Sequence, residues 1–266
     1  MRIGERVFAV TGGGNGIARE VVLQLLAEGA RVAAIDVSAR GLEETAALAN
    51  AGDRLTTHVV DITDRAAVEA LVPEVRGRHG AIDGLLNIAG VIHRFAPVAE
   101  LSIEEIERVI RINYWGTVYA TKAFLPELLA RPEAALVNFS SMGGLVPVPG
   151  QGAYGASKAA VKLFTETLYA ELRGTGVHVT VVFPGGVATN ITENSGVVID
   201  IDPSKTARAP RTTPVEVAAR LTLQAIARNR PRLLIGGDAI AVDRLSRVAP
   251  VRAIVTIADR MKALLG

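Results

Sequence analysis

Seven short runs of mainly β-branched and other apolar residues recur along the 266-residue chain. Segments with apolar residues at helical spacing separate these runs. The runs begin at Arg6, Arg31, Thr57, Asp83, Ala134, Val177 and Arg232. Strands that alternate with helices form right-handed β-α-β units and a parallel sheet with helices on both faces. The sequence therefore predicts a single α/β domain with a doubly wound, seven-stranded parallel sheet.

The limits of several helices can be predicted from single residues. Apolar residues at helical spacing stop at Gly29 in one segment and at Gly77 in another, and glycine commonly ends a helix. Ser102 and Glu105 have the spacing of a capping box. We therefore expect helices that end at residues 29 and 77, and one that begins at 102.

Composition favours a folded protein and excludes several classes of function. Hydrophobic residues make up 49% of the chain and charged residues 21%, unlike a disordered chain. The 29 basic and 27 acidic residues are scattered, so no nucleic-acid partner is expected. With no Cys and four separated His, the chain contains no disulfide or zinc motif, and no metal is expected.

The sequence also lacks the usual signals for export or membrane insertion. The first residues carry charges at Arg2, Glu5 and Arg6 without an apolar stretch, so no signal peptide is expected. No run reaches the roughly 18 apolar residues of a membrane-spanning helix. The predicted location is cytoplasmic.

The first predicted strand leads directly into the glycine-rich sequence TGGGNGIA, residues 11–18. Gly12, Gly14 and Gly16 let the backbone approach a pyrophosphate, which the N–H groups and dipole of the next helix can bind. Asn15 and Ile17 lie in the same loop. A flexible turn is the alternative. A strand before the loop and a helix after it favour a phosphate site formed by these five residues.

Asp36 ends the second predicted strand, 20 residues beyond Gly16. A carboxylate there can accept hydrogen bonds from both hydroxyls of an adenosine ribose and would repel a 2′-phosphate. A cap for the next helix is the alternative role. Asn15 supports ribose binding, because a cation would be expected in its place to hold an extra phosphate, whereas Arg40 argues against it. The predicted cofactor is NAD rather than NADP.

The carboxyl ends of the other strands carry further candidate cofactor residues, because ligands of doubly wound sheets bind at this edge. They are Asp61 and Ile62 after the third strand, Asn87, Ala89 and Gly90 after the fourth, and Pro184, Gly185, Val187 and Thr189 after the sixth. On its own, Asp61 is equally well explained as a cap, and Asn87 as a residue that fastens a loop.

Tyr154 and Lys158 lie one helical turn apart in YGASK, so both side chains project from one face of a helix. An ordinary surface pair is the alternative. Ser141 ends the fifth strand, 13 residues before Tyr154. Asn113 lies within a predicted helix, where it is a poor helix former, and this indicates another role.

Together these motifs resemble the short-chain dehydrogenase/reductase family over roughly residues 6–190. The resemblance rests on TGGGNGIA, Asp61, NIAG, Asn113, Ser141, YGASK and PGGVAT, in this order. It implies a Rossmann fold that transfers a hydride between NAD and a secondary alcohol or ketone. Tyr154 is then the acid/base and Lys158 its partner, and both also contact the cofactor. Ser141 orients the substrate carbonyl, and Asn113 anchors a water relay.

Two positions differ from the usual motifs of the family: Ala18 replaces the third loop glycine, and NNAG reads NIAG. Neither change is expected to abolish binding. Lys158, with the oxidised nicotinamide, is expected to lower the pKa of the Tyr154 phenol. Space around Ala156 and Ala159 matches the family's packing against a second subunit, so a homodimer or homotetramer is expected.

The substrate is expected to lie between residues 91–98, residues 142–153 and a loop at about 189–214. Met142, Leu145, Val146 and Val148 indicate an apolar pocket, although they could equally belong to the core. His93 is assigned to the polar rim rather than to catalysis. A catalytically silent NAD-binding regulator is the main alternative function, and an isomerase or epimerase is a third.

The last 28 residues form an amphipathic helical tail, residues 239–266, after a nucleotide-binding and catalytic domain, residues 1–238. Apolar residues recur at helical spacing in Val251, Ile254, Val255, Ala258, Met261 and Leu265. The favoured explanation is packing over the chain's own pocket or a neighbour's. Contact with a membrane surface is the alternative.

Overall fold

Seven parallel strands form one sheet in the order β3-β2-β1-β4-β5-β6-β7, which confirms the predicted fold class. The computed structural model describes residues 1–189, 191–197 and 212–265. The strands are β1 (Val7–Thr11), β2 (Arg31–Asp36), β3 (Leu55–Val59), β4 (Gly84–Asn87), β5 (Ala134–Phe139), β6 (Val177–Pro184) and β7 (Arg232–Ile235).

Helices connect successive strands and cover both faces of the sheet. They are α1 (Gly16–Ala27), α2 (Ala39–Ala49), α3 (Arg65–His79), α4 (Ile103–Ile110), α5 (Gly116–Leu129), α6 (Gly152–Glu171), α7 (Ile191–Asn194), α8 (Val215–Ala227), α9 (Gly237–Val248) and α10 (Pro250–Leu265). Every residue of β1, β4 and β5 is buried. This is why these strands read as nearly continuous apolar runs.

The core consists of two apolar layers, one on each face of the sheet. Phe8 and Leu25 belong to the layer under α1 and α8, and Leu85 and Phe124 belong to the layer under α3 and α5. Strand β1 lies between β2 and β4, so the chain turns to opposite sides of the sheet after β1 and after β4. In such sheets the reversal leaves a crevice at the carboxyl ends of the two strands.

Most predicted element limits are close to those observed. The capping box at the start of α4 is confirmed: Glu105 N donates to Ser102 Oγ at 3.2 Å, and Ser102 N donates to Glu105 Oε2 at 3.0 Å. Helix α1 ends two residues before Gly29. The limit at Gly77 is wrong, because α3 continues to His79, and the residue that adopts a positive φ of 92° is Gly80.

The third strand starts earlier and ends earlier than predicted. Strand β3 begins at Leu55 rather than Thr57 and ends at Val59 rather than Ile62. The chain leaves the sheet here because the Asp61 carboxylate accepts a hydrogen bond from Thr63 N at 2.8 Å and forms a turn. Asp61 therefore stands beyond the strand end, facing the crevice region.

The C-terminal residues form two helices, α9 and α10. Helix α9 is tied to the sheet by Asp243, whose carboxylate lies 2.5 Å from Arg232 Nη2. Helix α10 buries Ala253, while Val251 and Val255 are exposed. The division of the chain at residue 238 stays a prediction.

Part of the sequence-based interpretation lies outside the described residues. This holds for residues 190 and 198–211 of the predicted substrate loop, for the side chain of Leu265 and for Gly266. Over the described ranges, the structure contains no helix long and apolar enough to cross a membrane. The cytoplasmic location stays a prediction.

Candidate active site

The glycine loop between β1 and α1 packs tightly against the ends of β2 and β4. Gly12 N and Gly13 N both donate to the carbonyl oxygen of Ile35, at 2.7 and 3.0 Å. Gly12 has a φ of 79°, and a Cβ there would lie 3.0 Å from the Cα of Ala89. Glycine is therefore required at position 12, both for the backbone conformation and for the space.

Asp36 at the end of β2 is fixed by two backbone amides. Gly14 N donates to Asp36 Oδ2 at 2.9 Å, and Ser38 N donates to Asp36 Oδ1 at 2.9 Å. The cap of α2 is Ser38, whose Oγ accepts from Gly41 N at 3.1 Å. The alternative role of Asp36 as the helix cap is therefore wrong, and its carboxylate is available at the crevice.

Two arginines near Asp36 are engaged with other groups. Arg19 bonds the carbonyl oxygen of Gly14 and, at 3.0 Å, Thr45 Oγ1, and it forms an ion pair of 2.8 Å with Glu44. Arg40 is 89% exposed and pairs with the same glutamate at 3.0 Å. Arg40 was the basic residue that argued against NAD. Its side chain bonds the exposed carboxylate of Glu44 and does not point into the crevice.

A cleft of about 320 Å³ lies at the reversal point between β1 and β4. It is lined by ten residues proposed from the sequence: Gly12, Asn15, Gly16, Ile17, Asp36, Asp61, Ile62, Ala89, Gly90 and Thr189. Sequence reasoning missed other lining residues: Ala18, Ile35, Val37, Val60, Ile88, Val91, Ile112 and Ile191. The last two come from an internal turn and from α7, and no local motif marks them. The cofactor roles of the lining residues stay predictions.

Seven proposed cofactor residues do not line this cleft, two of which, Tyr154 and Lys158, are described below. Gly14 lies beneath it, against Asp36, and Pro184, Gly185 and Val187 lie at the end of β6. Asn87 is buried, and its Nδ2 donates to Asn138 Oδ1 at 2.8 Å. Asn87 thus joins β4 to β5, and its cofactor role stays a prediction.

Ser141, Tyr154 and Lys158 come together at the carboxyl end of β5. The Ser141 side chain acts on the Tyr154 phenol, and Ser141 Oγ accepts from Gly143 N at 3.1 Å. Lys158 Nζ donates to the carbonyl oxygen of Phe139 at 3.0 Å and lies 6.0 Å from the centre of the Tyr154 ring. Lys158 is buried, so the pair is not an ordinary surface pair.

Burial shifts the pKa values of both titratable groups. It lowers the pKa of the Lys158 ammonium from 10.5 to about 8. It raises the pKa of the Tyr154 phenol, while the Ser141 side chain acts in the opposite direction. The net effect in the protein without cofactor is a raised Tyr154 pKa, because desolvation of the phenol dominates. The expected lowering by Lys158 together with the oxidised nicotinamide stays a prediction.

Asn113 lies in a π-helical turn, Arg111–Trp115, between α4 and α5. Its side chain bonds both backbone groups of Val91: Oδ1 accepts from the amide at 2.8 Å, and Nδ2 donates to the carbonyl at 2.9 Å. Nδ2 also donates to Ser157 Oγ at 2.9 Å. Asn113 thereby joins the segment after β4 to α6. Its role in a water relay stays a prediction.

The segment after β6 is fixed by Asp238 of α9. Gly186 N donates to Asp238 Oδ2 at 2.6 Å, and a Cβ at Gly185 would lie 2.1 Å from the same carboxylate. Backbone bonds also join this segment to Thr213, whose N donates to Gly186 O at 2.7 Å. No local motif marked Asp238, because its partners lie 52 residues earlier in the chain.

The predicted substrate walls contain both core and half-buried residues. Val146 is 5% exposed and belongs to the core, whereas Met142, Leu145 and Val148 are half-buried. His93 is only 1% exposed. Its assignment to the polar rim is therefore wrong.

Comparison with known proteins agrees with this geometry. A family model described as short chain dehydrogenase matches residues 6–197. The chain belongs to the short-chain dehydrogenase/reductase family. It is therefore an oxidoreductase of the Rossmann-like type, as the motifs implied.

Two curated relatives illustrate the range of the family. SadH of Mycobacterium tuberculosis, whose name describes an oxidoreductase without a substrate, is 37% identical over 251 residues, or 91% of this chain and 90% of SadH. Levodione reductase of Leifsonia aquatica is 33% identical over 211 residues, or 78% of each chain. These names do not establish the substrate of this chain.

Solved structures of the family contain either nicotinamide cofactor. A short-chain dehydrogenase/reductase from Burkholderia phymatum in complex with NAD has a TM-score of 0.85 and 26% identity, and covers 96% of this chain and 97% of its own. One from Burkholderia cenocepacia in complex with NADP has a TM-score of 0.82 and 26% identity, and covers 97% and 99%. Family members thus bind NAD or NADP.

Proposed function

We propose that this chain is an NAD-dependent oxidoreductase that interconverts a secondary alcohol and a ketone, with a mainly apolar substrate. The observation that carries the proposal is the cluster of Ser141, Tyr154 and Lys158 beside the glycine-loop cleft. The two are in contact: Gly90 lines the cleft, and a Cβ at Gly90 would lie 3.0 Å from Lys158 Nζ. A regulator without catalysis would not need these three side chains next to the cofactor cleft.

The residues around the cleft suit a dinucleotide. The backbone amides at the start of α1 suit a pyrophosphate, and the Asp36 carboxylate suits the ribose hydroxyls. Ile62 and Val60 offer apolar contact at the β3 side of the cleft. When bound, NAD(H) supplies the group that accepts or donates the hydride.

Tyr154 handles the proton of the substrate oxygen in this proposal. Its phenol oxygen takes the proton from the alcohol in oxidation and returns it to the ketone in reduction. Ser141 holds the same substrate oxygen by a second hydrogen bond. The Lys158 ammonium favours the phenolate form and so opposes the effect of burial on the Tyr154 pKa.

The test of the proposed reaction is turnover. Purified protein with NAD or NADP and a panel of secondary alcohols should produce the absorbance of the reduced nicotinamide, and the corresponding ketones should consume it. Turnover would exclude the silent regulator. If the protein binds NAD but turns over no member of either panel, the proposed activity is contradicted and the regulator is favoured.

NAD is proposed over NADP because Asp36 would repel a 2′-phosphate. At equal concentration NAD should raise the melting temperature more than NADP does, since ligand stabilisation follows affinity. Asp36→Ala should reduce the difference between the melting-temperature shifts with NAD and NADP. Tyr154→Phe is the control and should leave that difference unchanged. Equal shifts for the two cofactors in the unmodified protein would contradict the assignment.

We also propose that a second copy of the chain packs on the face formed by α6 and the start of α5. This face exposes Trp115, Leu163 and Tyr169 by 45%, 65% and 47%. Leu163→Glu should lower the mass measured by light scattering, because it places a charge in the apolar contact. Leu48→Glu on α2, where Leu48 is 63% exposed, is the matched control. A monomeric unmodified protein would refute the proposal.

A further inference from the structure

Two buried acceptor atoms on neighbouring segments lack a hydrogen-bond donor among the described residues. His93 is 1% exposed and Gln151 is 3% exposed. Neither His93 Nε2 nor Gln151 Oε1 has a partner among the described residues. More than about nine in ten buried polar groups in folded proteins are paired, so two unpaired atoms on adjoining segments require an explanation.

The contacts of the two side chains show that both atoms are acceptors. His93 Nδ1 lies 2.6 Å from the carbonyl oxygen of Arg94, and because a carbonyl only accepts, Nδ1 carries the hydrogen. In the neutral ring, Nε2 is then an acceptor. Gln151 Nε2 donates to the carbonyl oxygen of His93 at 2.9 Å. The other amide atom of Gln151, Oε1, is therefore an acceptor as well.

Both residues lie close in sequence to residues of the site. Gln151 directly precedes α6 and lies three residues before Tyr154. His93 lies three residues after Gly90, which is in contact with Lys158 Nζ as described above. The pair therefore lies on the two segments that were expected to enclose the substrate, residues 91–98 and 142–153.

The two segments are fixed to each other and to their surroundings. Besides the bond between Gln151 and His93, Ala96 N donates to Gly150 O at 3.2 Å. Ile92 N donates to Ser195 Oγ at 3.0 Å. Because the backbones are held in this way, the two acceptors cannot easily turn towards bulk water. A ligand bound against both segments would supply the missing donors.

We propose that His93 Nε2 and Gln151 Oε1 accept hydrogen bonds from the substrate, which therefore carries a hydroxyl or amino group in addition to the reacting alcohol or ketone. This inference rests on the proposed function and names its substrate class: diols, hydroxy ketones and amino alcohols. The half-buried Met142 and Leu145 provide apolar contact for the carbon skeleton. His93 and Gln151 are specificity-determining residues in this account.

Matched substrates test the proposal with the unmodified protein. An unsubstituted secondary alcohol is compared with counterparts that carry a hydroxyl or an amino group one, two or three carbons from the reacting carbon. The kcat/KM of at least one counterpart should exceed that of the unsubstituted alcohol about tenfold or more, because the latter leaves both acceptors unpaired. Comparison of the hydroxyl-bearing with the amino-bearing substrates shows which of the two groups is the preferred donor. Ratios within about twofold throughout would overturn the proposal.

Substitution of the acceptor tests the residue directly. His93→Leu removes Nε2, so the preference for the substituted substrate should fall about tenfold towards equality. His178→Leu, at the partly exposed start of β6, is the matched control and should keep the preference. If His93→Leu also keeps it, the acceptors are satisfied by water and the proposal is wrong.

Two outcomes separate this inference from the proposed function. If no secondary alcohol or ketone is turned over with either cofactor, the proposed function fails, and this inference fails with it. If secondary alcohols are turned over without any preference for a second donor, only the inference fails. If the His93→Leu variant does not fold, the comparison of substrates with the unmodified protein is sufficient to support or contradict the inference.

Discussion

The nucleotide end and the substrate end of the site differ in how completely the protein pairs its own polar groups. At the nucleotide end, both oxygens of Asp36 accept hydrogen bonds from backbone amides, and Arg19 bonds four neighbouring groups. At the substrate end, His93 Nε2 and Gln151 Oε1 have no partner among the described residues. The difference teaches that Asp36 and Arg19 are held by the chain itself, whereas the two acceptors of the proposed substrate end are left for a ligand. Asn87 Oδ1, on the β4 side of the site, is also unpaired among the described residues.

The largest effect is expected at the substrate end, for Tyr154→Phe. This change removes only the hydroxyl, so turnover should fall by a factor of about one hundred or more, because positioned proton transfer is worth at least that much. NAD affinity, measured by titration or thermal shift, should change little. A variant that retains more than about a tenth of the turnover would show that Tyr154 is not the acid/base.

Lys158 is expected to produce the next largest effect, on the pH dependence of stability. Its pKa in the folded protein is about 8 against 10.5 as the reference value. Between these values the unfolded chain binds more protons, so the free energy of unfolding rises with pH, by up to about 3 kcal/mol. The raised Tyr154 pKa acts oppositely, but only above about pH 10.

Chemical unfolding at pH 7.5, 9 and 10 would measure this rise, and Lys158→Met should remove it. The variant tests the electrostatic origin of the effect, because a Met side chain fills the space without a charge. A wild-type stability that is flat or falls from pH 8 to 10 would contradict the expectation. So would a Lys158→Met variant that keeps the rise.

Gly14→Ala tests how tightly the nucleotide end is built. An added Cβ would lie 2.9 Å from the Asp36 carboxylate, which must then move and lose its bond to Gly14 N. NAD affinity should fall about tenfold, as expected for the loss of one or two hydrogen bonds. Gly77→Ala, where nothing lies within 4 Å of the added Cβ, is the control. Equal NAD affinity in both variants would contradict this prediction and show that Asp36 can move without loss of NAD binding.

The smallest effect is expected for Arg40→Ala at the edge of the nucleotide end. Arg40 is 89% exposed and paired with a surface carboxylate, so the free energy of unfolding should change by less than about 0.5 kcal/mol. The difference between the NAD and NADP thermal shifts should also stay the same. A clear change in that difference would mean that Arg40 contacts the nucleotide after all.

The sequence predicted what depends on local order along the chain. The seven strands, the capping box at Ser102 and the positions of the motifs at strand ends follow from periodicity and from neighbours in sequence. The helix limit at Gly77 failed for a reason that is also local: two glycines lie three residues apart, and the sequence does not indicate which of them adopts the positive φ. Only Gly80 does.

Features that depend on distant contacts could not be predicted. Asp238 fixes the segment after β6 across 52 residues, and Ile112 reaches the cleft from a helix. The rise in the Tyr154 pKa has the same origin, because it results from burial, which the local sequence YGASK does not indicate. The burial of His93 is a further example, because nothing in its local sequence indicates that the residue is only 1% exposed.

The π-helical turn at Arg111–Trp115 determines which way the side chains of α5 point relative to those of α4. Each helical residue advances the side-chain direction by about 100°, and a π turn accommodates one residue more than an α-helix. Deletion of one residue here would turn the segment into a continuous α-helix. The side chains on one side of the deletion would then be rotated by about 100° relative to those on the other. Asn113 could then no longer face Val91, or α5 would lose its buried Phe124 from the core. The extra residue thus allows Asn113 to face Val91 while Phe124 of the following helix faces the core.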